Sequence, residues 1–77
     1  MRWLVAVLDD GRVFAVDRGT ATVVALDSLG RPSVAATTAE LLDAAQTDSI
    51  VIGPSVRLRD EGLVVFDAVS ARHILVR

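Results

Sequence analysis

The chain has 77 residues, a formal charge of −2, no cysteine and one histidine. These counts predict a single domain over residues 1–77 and exclude disulfides, thiolate metal sites and multi-histidine metal sites within one chain. Small domains that lack such staples often gain stability from a partner subunit. The acidic balance argues against nucleic acid as a general partner, because non-specific nucleic-acid binders usually carry a basic excess.

Hydrophobic residues make up 52% of the chain, but they do not predict a membrane segment. The longest apolar run near the N-terminus, Trp3 to Leu8, is far shorter than the ~18 residues of a spanning helix. We therefore expect no membrane attachment and no secretory signal peptide, and a cytoplasmic or virion-associated location. Lys, Asn and Tyr, whose codons are AT-rich, are absent, which indicates a GC-rich genome.

The first third of the chain predicts a meander of short strands. Its β-prone runs cover 2–8, 12–17 and 20–26. Asp9-Asp10-Gly11 lies between the first two runs and predicts a hairpin in which Gly11 supplies a positive φ. The glycine and proline in 28–33 predict a loop.

One helix is predicted near residues 38–46. Thr37 and Glu40 have the spacing of a capping box, and an apolar stripe follows at Leu41, Leu42, Ala44 and Ala45. A helix of about ten residues is marginal alone, so we expect it to pack on a sheet.

The last third of the chain predicts a second meander. The predicted strands are 50–52, 55–59, 63–67 and 72–76. Gly53-Pro54 is expected to end a strand or to bend it at a sheet edge. Asp60-Glu61-Gly62 predicts a hairpin of the same type as the first.

The two hairpins align at an offset of 51 residues, with Gly11 on Gly62 and Val23-Val24-Ala25 on Ile74-Leu75-Val76. A duplicated, pseudo-symmetric sheet would leave this pattern, and so would two turns that converged independently on acidic residues and glycine. The predicted fold is mainly β with one short helix, as a small barrel or sandwich of two three-strand meanders. The alternative is an α+β open sheet with the helix on one face.

The predicted strands are apolar on both faces. In the first strand Trp3, Val5 and Val7 alternate with side chains that are equally apolar. Strands of this kind are normally buried on both sides, which favours a homo-oligomer or binding to another protein. A tightly curled barrel with small outward residues is the alternative. The leading function is a self-associating structural or protein-interaction module, such as a phage virion or assembly component.

No set of residues predicts catalysis or a cofactor. His73 is the only histidine and lies in an apolar strand near Ser70, a proximity that does not amount to a triad. Phosphate-binding and dinucleotide motifs are absent, so we expect no enzyme activity, no cofactor and no small-molecule substrate. Asp9-Asp10 and Asp60-Glu61 would suit Ca²⁺ if the hairpin tips converged. Turn formation is the commoner role of such carboxylates, so no metal site is predicted.

Arg57 and Arg59 alternate with apolar residues and therefore leave the same face of a strand. Arg72 is expected near them across the sheet. This stripe is the candidate polar contact surface, suited to phosphates or carboxylates. It supports the alternative function, a small regulatory nucleic-acid-binding β-barrel; a solvated face paired with nearby carboxylates is the simpler interpretation.

Overall fold

Seven antiparallel strands and one helix make up the fold, and the computed structural model describes all 77 residues. The elements in chain order are β1 (Trp3–Val7), β2 (Val13–Asp17), β3 (Thr22–Leu26), β4 (Pro32–Ala36), α1 (Thr38–Ala45), β5 (Ile52–Arg59), β6 (Gly62–Asp67) and β7 (Arg72–Val76). Strands β1 to β4 form the first sheet and β5 to β7 the second, each in sequence order. The mainly β fold with one short helix is confirmed, but the sheets stay separate and do not close into a barrel.

Strand β4 corrects the prediction of a loop over 28–33. It begins at Pro32 and extends the first meander from three strands to four. Its sequence, PSVAA, contains one strongly β-prone residue, so local propensity did not reveal it. Pairing with β3 determines the strand, with a register irregularity between Val23 and Val24. Pro32 is tolerated because β4 is an edge strand.

Strand β5 is continuous where two separate strands were predicted. Gly53 and Pro54 lie inside it, within an irregularity of register between Ile52 and Val56. Because β5 is the edge strand of the second sheet, the missing N–H of Pro54 interrupts no central ladder. The Gly53-Pro54 pair therefore produces an irregularity of register at a sheet edge and does not end the strand.

Helix α1 begins with the predicted capping box. The Glu40 backbone N–H donates to the Thr37 hydroxyl and the Thr37 N–H donates to the Glu40 carboxylate, both at 3.1 Å. The helix ends at Gln46, which adopts a left-handed conformation with φ 55°. Leu41 and Ala45 are buried, and the helix packs against β7. At eight residues, α1 is too short to cross a membrane.

The core lies between the two sheets and is closed on one side by α1. Strand β1 lies beside β5 on the other side. Alternate residues of each strand point inward. The buried cluster comprises Ala6, Leu8, Phe14, Val16, Ala21, Val23, Ala36, Leu41, Ala45, Ile52, Leu63, Val65, Ile74 and Val76.

The two acidic hairpin turns differ in length and in the role of their glycines. Residues 8–12 connect β1 to β2, whereas only Asp60 and Glu61 separate β5 from β6. Gly11 has φ +89°, as predicted. Gly62 has no positive φ; it is needed because a Cβ there would collide with the Val76 carbonyl oxygen. The second hairpin is therefore not of the same type as the first.

Candidate interaction surface

The side of the first sheet that points away from the core is apolar across all four strands. We call it the apolar face. One row of ladder partners crosses this face: Val5 pairs with Ala15, Ala15 with Val24, and Val24 with Val34. Val5 is 66% exposed and Val34 62%. The full set is Trp3, Val5, Val7, Val13, Ala15, Val24, Leu26 and Val34.

Strand β1 explains how this face arises from the sequence. Ala6 and Leu8 are buried and Leu4 packs against the core, so the inward positions are satisfied. Their outward neighbours Trp3 and Val7 are 48% and 58% exposed. The outward residues are large and contiguous, unlike the small, single residues expected of a tightly curled barrel.

Ion pairs lie at two ends of the apolar face. Arg2 donates from Nε and Nη2 to the two carboxylate oxygens of Asp17, at 2.8 and 2.9 Å. The Arg2 guanidinium also lies 5.8 Å from the Trp3 ring centroid. At the β3–β4 turn, Arg31 pairs with Asp27 at 2.9 Å. The face thus has an apolar centre and a rim of matched charges, as protein interfaces do.

The Arg2 pair also sets the protonation of Asp17. The side-chain hydrogen bond from Arg2 is the largest influence and holds the pKa of the Asp17 carboxyl far below its ordinary value, against the opposing effect of burial. The Gly19 backbone N–H adds a bond of 2.9 Å to the same carboxylate. Asp17 is therefore a charged, fixed element of the rim at neutral pH.

The two acidic hairpin tips converge. Arg12 donates from Nη2 to the Glu61 carbonyl oxygen at 3.2 Å. Asp9, Asp10 and Asp60 line a shared cavity of about 240 Å³ together with Arg59. Asp10 is already paired with Arg12 at 2.8 Å. No group of three or more potential ligand side chains is close enough to hold a metal ion.

The structure brings two of the three predicted contact arginines together. Arg57 pairs across the ladder with Val64, and Arg59 with Gly62, so both leave the outer face of the second sheet. Arg72 pairs with Asp67, three residues further along β6. Because side chains alternate, this odd spacing places Arg72 on the other face of the ladder.

His73 and Ser70 do not form a catalytic pair. The Ser70 hydroxyl donates to the Asp67 carboxylate at 2.6 Å, which closes the β6–β7 turn. His73 lies across the ladder from Phe66, with the ring centroids 5.0 Å apart. His73 is exposed on edge strand β7 and makes no hydrogen bond to Ser70.

Sequence reasoning missed the contribution of β4 to the apolar face, because Val34 fell directly after the predicted loop. Its alternation with Ser33 and Ala35 was the only available signal. No protein-family model, curated protein or solved structure matches the chain.

Proposed function

We propose that the protein is a non-enzymatic, self-associating interaction module whose apolar face packs on the same face of a second copy. The observation that carries this proposal is the apolar row from Val5 to Val34 across four strands, in which Val5 and Val34 are exposed, Val24 is half-buried and Ala15 is buried. Contiguous exposed apolar patches mark interaction sites, whereas scattered exposed hydrophobic residues do not. The virion or assembly role expected from the sequence rests on the same surface.

The rim favours a second copy over a charged partner. Arg2 is matched by Asp17 and Arg31 by Asp27, so the ends of the face carry little unpaired charge. Two identical faces related by a two-fold axis would therefore meet without repulsion, as an isologous interface requires. A strongly acidic or basic partner would find no complementary charge there.

The size of the face sets the strength of the association. Four strands ~4.8 Å apart and five residues of ~3.4 Å give a flat footprint of roughly 320 Å². A standard interface buries about 800 Å² per partner, so this face supplies less than half of that area before neighbouring loops contribute. We therefore expect a dissociation constant in the micromolar range or weaker.

Sedimentation velocity over a concentration series from about 1 to 500 μM, around the expected micromolar constant, tests the proposal. The wild type should shift from 8.2 kDa towards twice that mass. Val5→Lys places a charge at the centre of the face and should keep the protein monomeric. Val69→Lys is the matched control, because Val69 is 53% exposed in the β6–β7 turn, away from the face.

A wild type that stays monomeric throughout the series would overturn the proposal. Equal loss of association in both lysine variants would also contradict it, because the effect would then come from added charge rather than from the face. Circular dichroism of each variant shows whether the fold is retained.

A further inference from the structure

The arginines of the two sheets differ in how they are used. The four in the first half of the chain all donate side-chain hydrogen bonds within the protein; they are Arg2, Arg12, Arg18 and Arg31. The four in the second half make no ion pair or side-chain hydrogen bond; they are Arg57, Arg59, Arg72 and Arg77. Guanidinium groups without an internal partner are free to bind an external anion.

Three of these free arginines belong to the outer face of the second sheet, which we call the cationic face. Arg57 and Arg59 are two residues apart on β5 and therefore about 7 Å apart along the strand. Arg77 follows Leu75 by two positions and lies next to Gly62, since a Cβ built at Gly62 would be 3.0 Å from the Arg77 Cα. Gly62 is in turn the ladder partner of Arg59. Arg77 thus occupies the place that the sequence prediction gave to Arg72.

A pocket of about 260 Å³ opens on the same face beside the β5 irregularity. Its polar groups are the Arg57 guanidinium, the His73 imidazole and the Ser55 hydroxyl, all on exposed residues. Val64 and Phe66 form its apolar floor. The remaining lining residues are Gly53 and Pro54.

The chemistry of the pocket selects a particular kind of anion. No carboxylate lines it, so its cationic group is not neutralised from within. Arg57 can hold a phosphate through two parallel hydrogen bonds. The tilted pair of Phe66 and His73 rings, at 52° and 5.0 Å, offers a planar group an aromatic contact.

We infer that the cationic face binds single-stranded nucleic acid. Arg57 and Arg59 contact neighbouring phosphates, Arg77 extends the track, and one base enters the pocket beside Phe66 and His73. Positive charge along a strand combined with aromatic contacts is how sequence-tolerant single-strand binding surfaces work. An acidic peptide would satisfy the arginines but offers a planar ring only where an aromatic residue happens to follow its carboxylates, whereas every nucleotide carries a phosphate and a planar base together.

The small number of phosphate contacts limits this binding to low salt. With about three phosphate contacts, the slope of log affinity against log salt is about −2 for a single strand. Affinity should therefore fall roughly 20-fold between 50 and 200 mM salt. Asp60 and Glu61 at the adjacent turn lower the affinity at every salt concentration, and they make its salt dependence shallower, since salt also screens the repulsion between their carboxylates and a phosphate chain.

Fluorescence anisotropy with a labelled eight-nucleotide single strand, as DNA and as RNA, tests the inference at both salt concentrations. Arg57→Ala should weaken binding about tenfold and flatten the salt dependence by roughly one phosphate contact. Arg72→Ala is the matched control, because it removes the same charge from the opposite face of the same sheet and should leave binding unchanged. Val5→Lys, which removes self-association, should leave the Arg57 dependence intact.

Three results would overturn the inference. One is the absence of binding to either strand at 50 mM salt. Another is an equal loss in the Arg57→Ala and Arg72→Ala variants, which would reveal diffuse electrostatic attraction. A nucleoside monophosphate that competes as well as the eight-nucleotide strand would contradict the assignment of a strand as the ligand. Failure of self-association leaves these outcomes unaffected, since the apolar face is on the other sheet.

Discussion

Asp17 and Asp67 occupy equivalent positions in two hairpins of identical register, but their side chains leave their strands towards opposite sides relative to the core. Asp17 pairs with Thr22 and Asp67 with Arg72, which is a constant offset of 50 residues. Val16, immediately before Asp17, lies in the core. In the second hairpin the core residue is Val65, two positions before Asp67. A one-residue shift exchanges the two faces of a strand.

This relationship changes the meaning of the 51-residue offset. An offset of 51 aligns inward residues, such as Val23 with Ile74, whereas the β2–β3 ladder and its turn align with the β6–β7 ladder and turn at an offset of 50. No single offset therefore superimposes both the hydrogen-bonded register and the apolar faces. The surroundings of the two carboxylates differ accordingly: Asp17 is bound by Arg2, and Asp67 has no cationic partner.

Asp67 is 0% exposed and accepts four hydrogen bonds. The donors are the N–H groups of Val51, Val69 and Ser70 at 3.0 to 3.1 Å, together with the Ser70 hydroxyl. Asp67→Ala should lower the free energy of unfolding by about 3 kcal/mol, because buried donors would lose their acceptor. Urea denaturation measures the loss.

Ser70→Ala provides the comparison for Asp67→Ala. It removes one donor and keeps the acceptor, so it should cost only about 1 kcal/mol. Equal losses in the two variants would show that the Asp67 carboxylate does not organise the connection between β5 and the β6–β7 turn.

Acid should destabilise the fold through its carboxylates. Burial raises the pKa of the Asp67 carboxyl, but the bonds from Ser70, Val51 and Val69 outweigh it, so the pKa lies below its ordinary value. The pKa of Asp17 is also lowered, chiefly by Arg2. Because both values are lower in the folded state, the unfolded chain binds more protons once the pH falls below about 5, roughly a unit above the ordinary Asp pKa of about 4. Stability should therefore be constant above that pH and decrease on further acidification.

Urea midpoints at pH 7, 5, 4 and 3 test this pH dependence. Asp67→Asn should be less stable at pH 7 and should lose less stability than the wild type on acidification, since one titrating group is gone. A wild-type midpoint that stays level between pH 5 and pH 3 would refute the expected linkage.

The two hairpin glycines should respond differently to a methyl group. Gly62→Ala places Cβ against the Val76 carbonyl oxygen and close to the Arg77 Cα, so the β6–β7 ladder must shift. We expect a loss above about 3 kcal/mol, or a chain that does not fold. Gly11→Ala meets no atom within 4 Å and should cost only about 1–2 kcal/mol, for the left-handed backbone.

Thermal denaturation followed by circular dichroism compares the two alanine variants. Failure of Gly62→Ala to fold, beside a folded Gly11→Ala, agrees with the prediction. A Gly11→Ala variant that is the less stable of the two would contradict it.

Local sequence patterns determined most of the secondary structure. The capping box of Thr37 and Glu40 fixed the start of the helix, because both hydrogen bonds are formed within four residues. Alternating apolar residues located β1, β2, β3, β6 and β7 within a few residues of their observed bounds. In β1 both alternating sets of side chains are apolar, which predicted a strand with more apolar surface than the core can bury.

The tertiary structure decided what depends on pairing between distant segments. Strand β4 forms because β3 offers it a ladder, although its own residues favour a strand only weakly. The pairing of Arg72 with Asp67 decides which face of the sheet carries Arg72. The β6–β7 register likewise places Arg77 beside Gly62. Register is set by long-range hydrogen bonds and turn length, and a shift of one residue moves every side chain of the strand to the opposite face of the sheet. The sequence therefore determined which residues alternate, whereas only the folded sheets decided which alternate set faces the core and which is left for a partner.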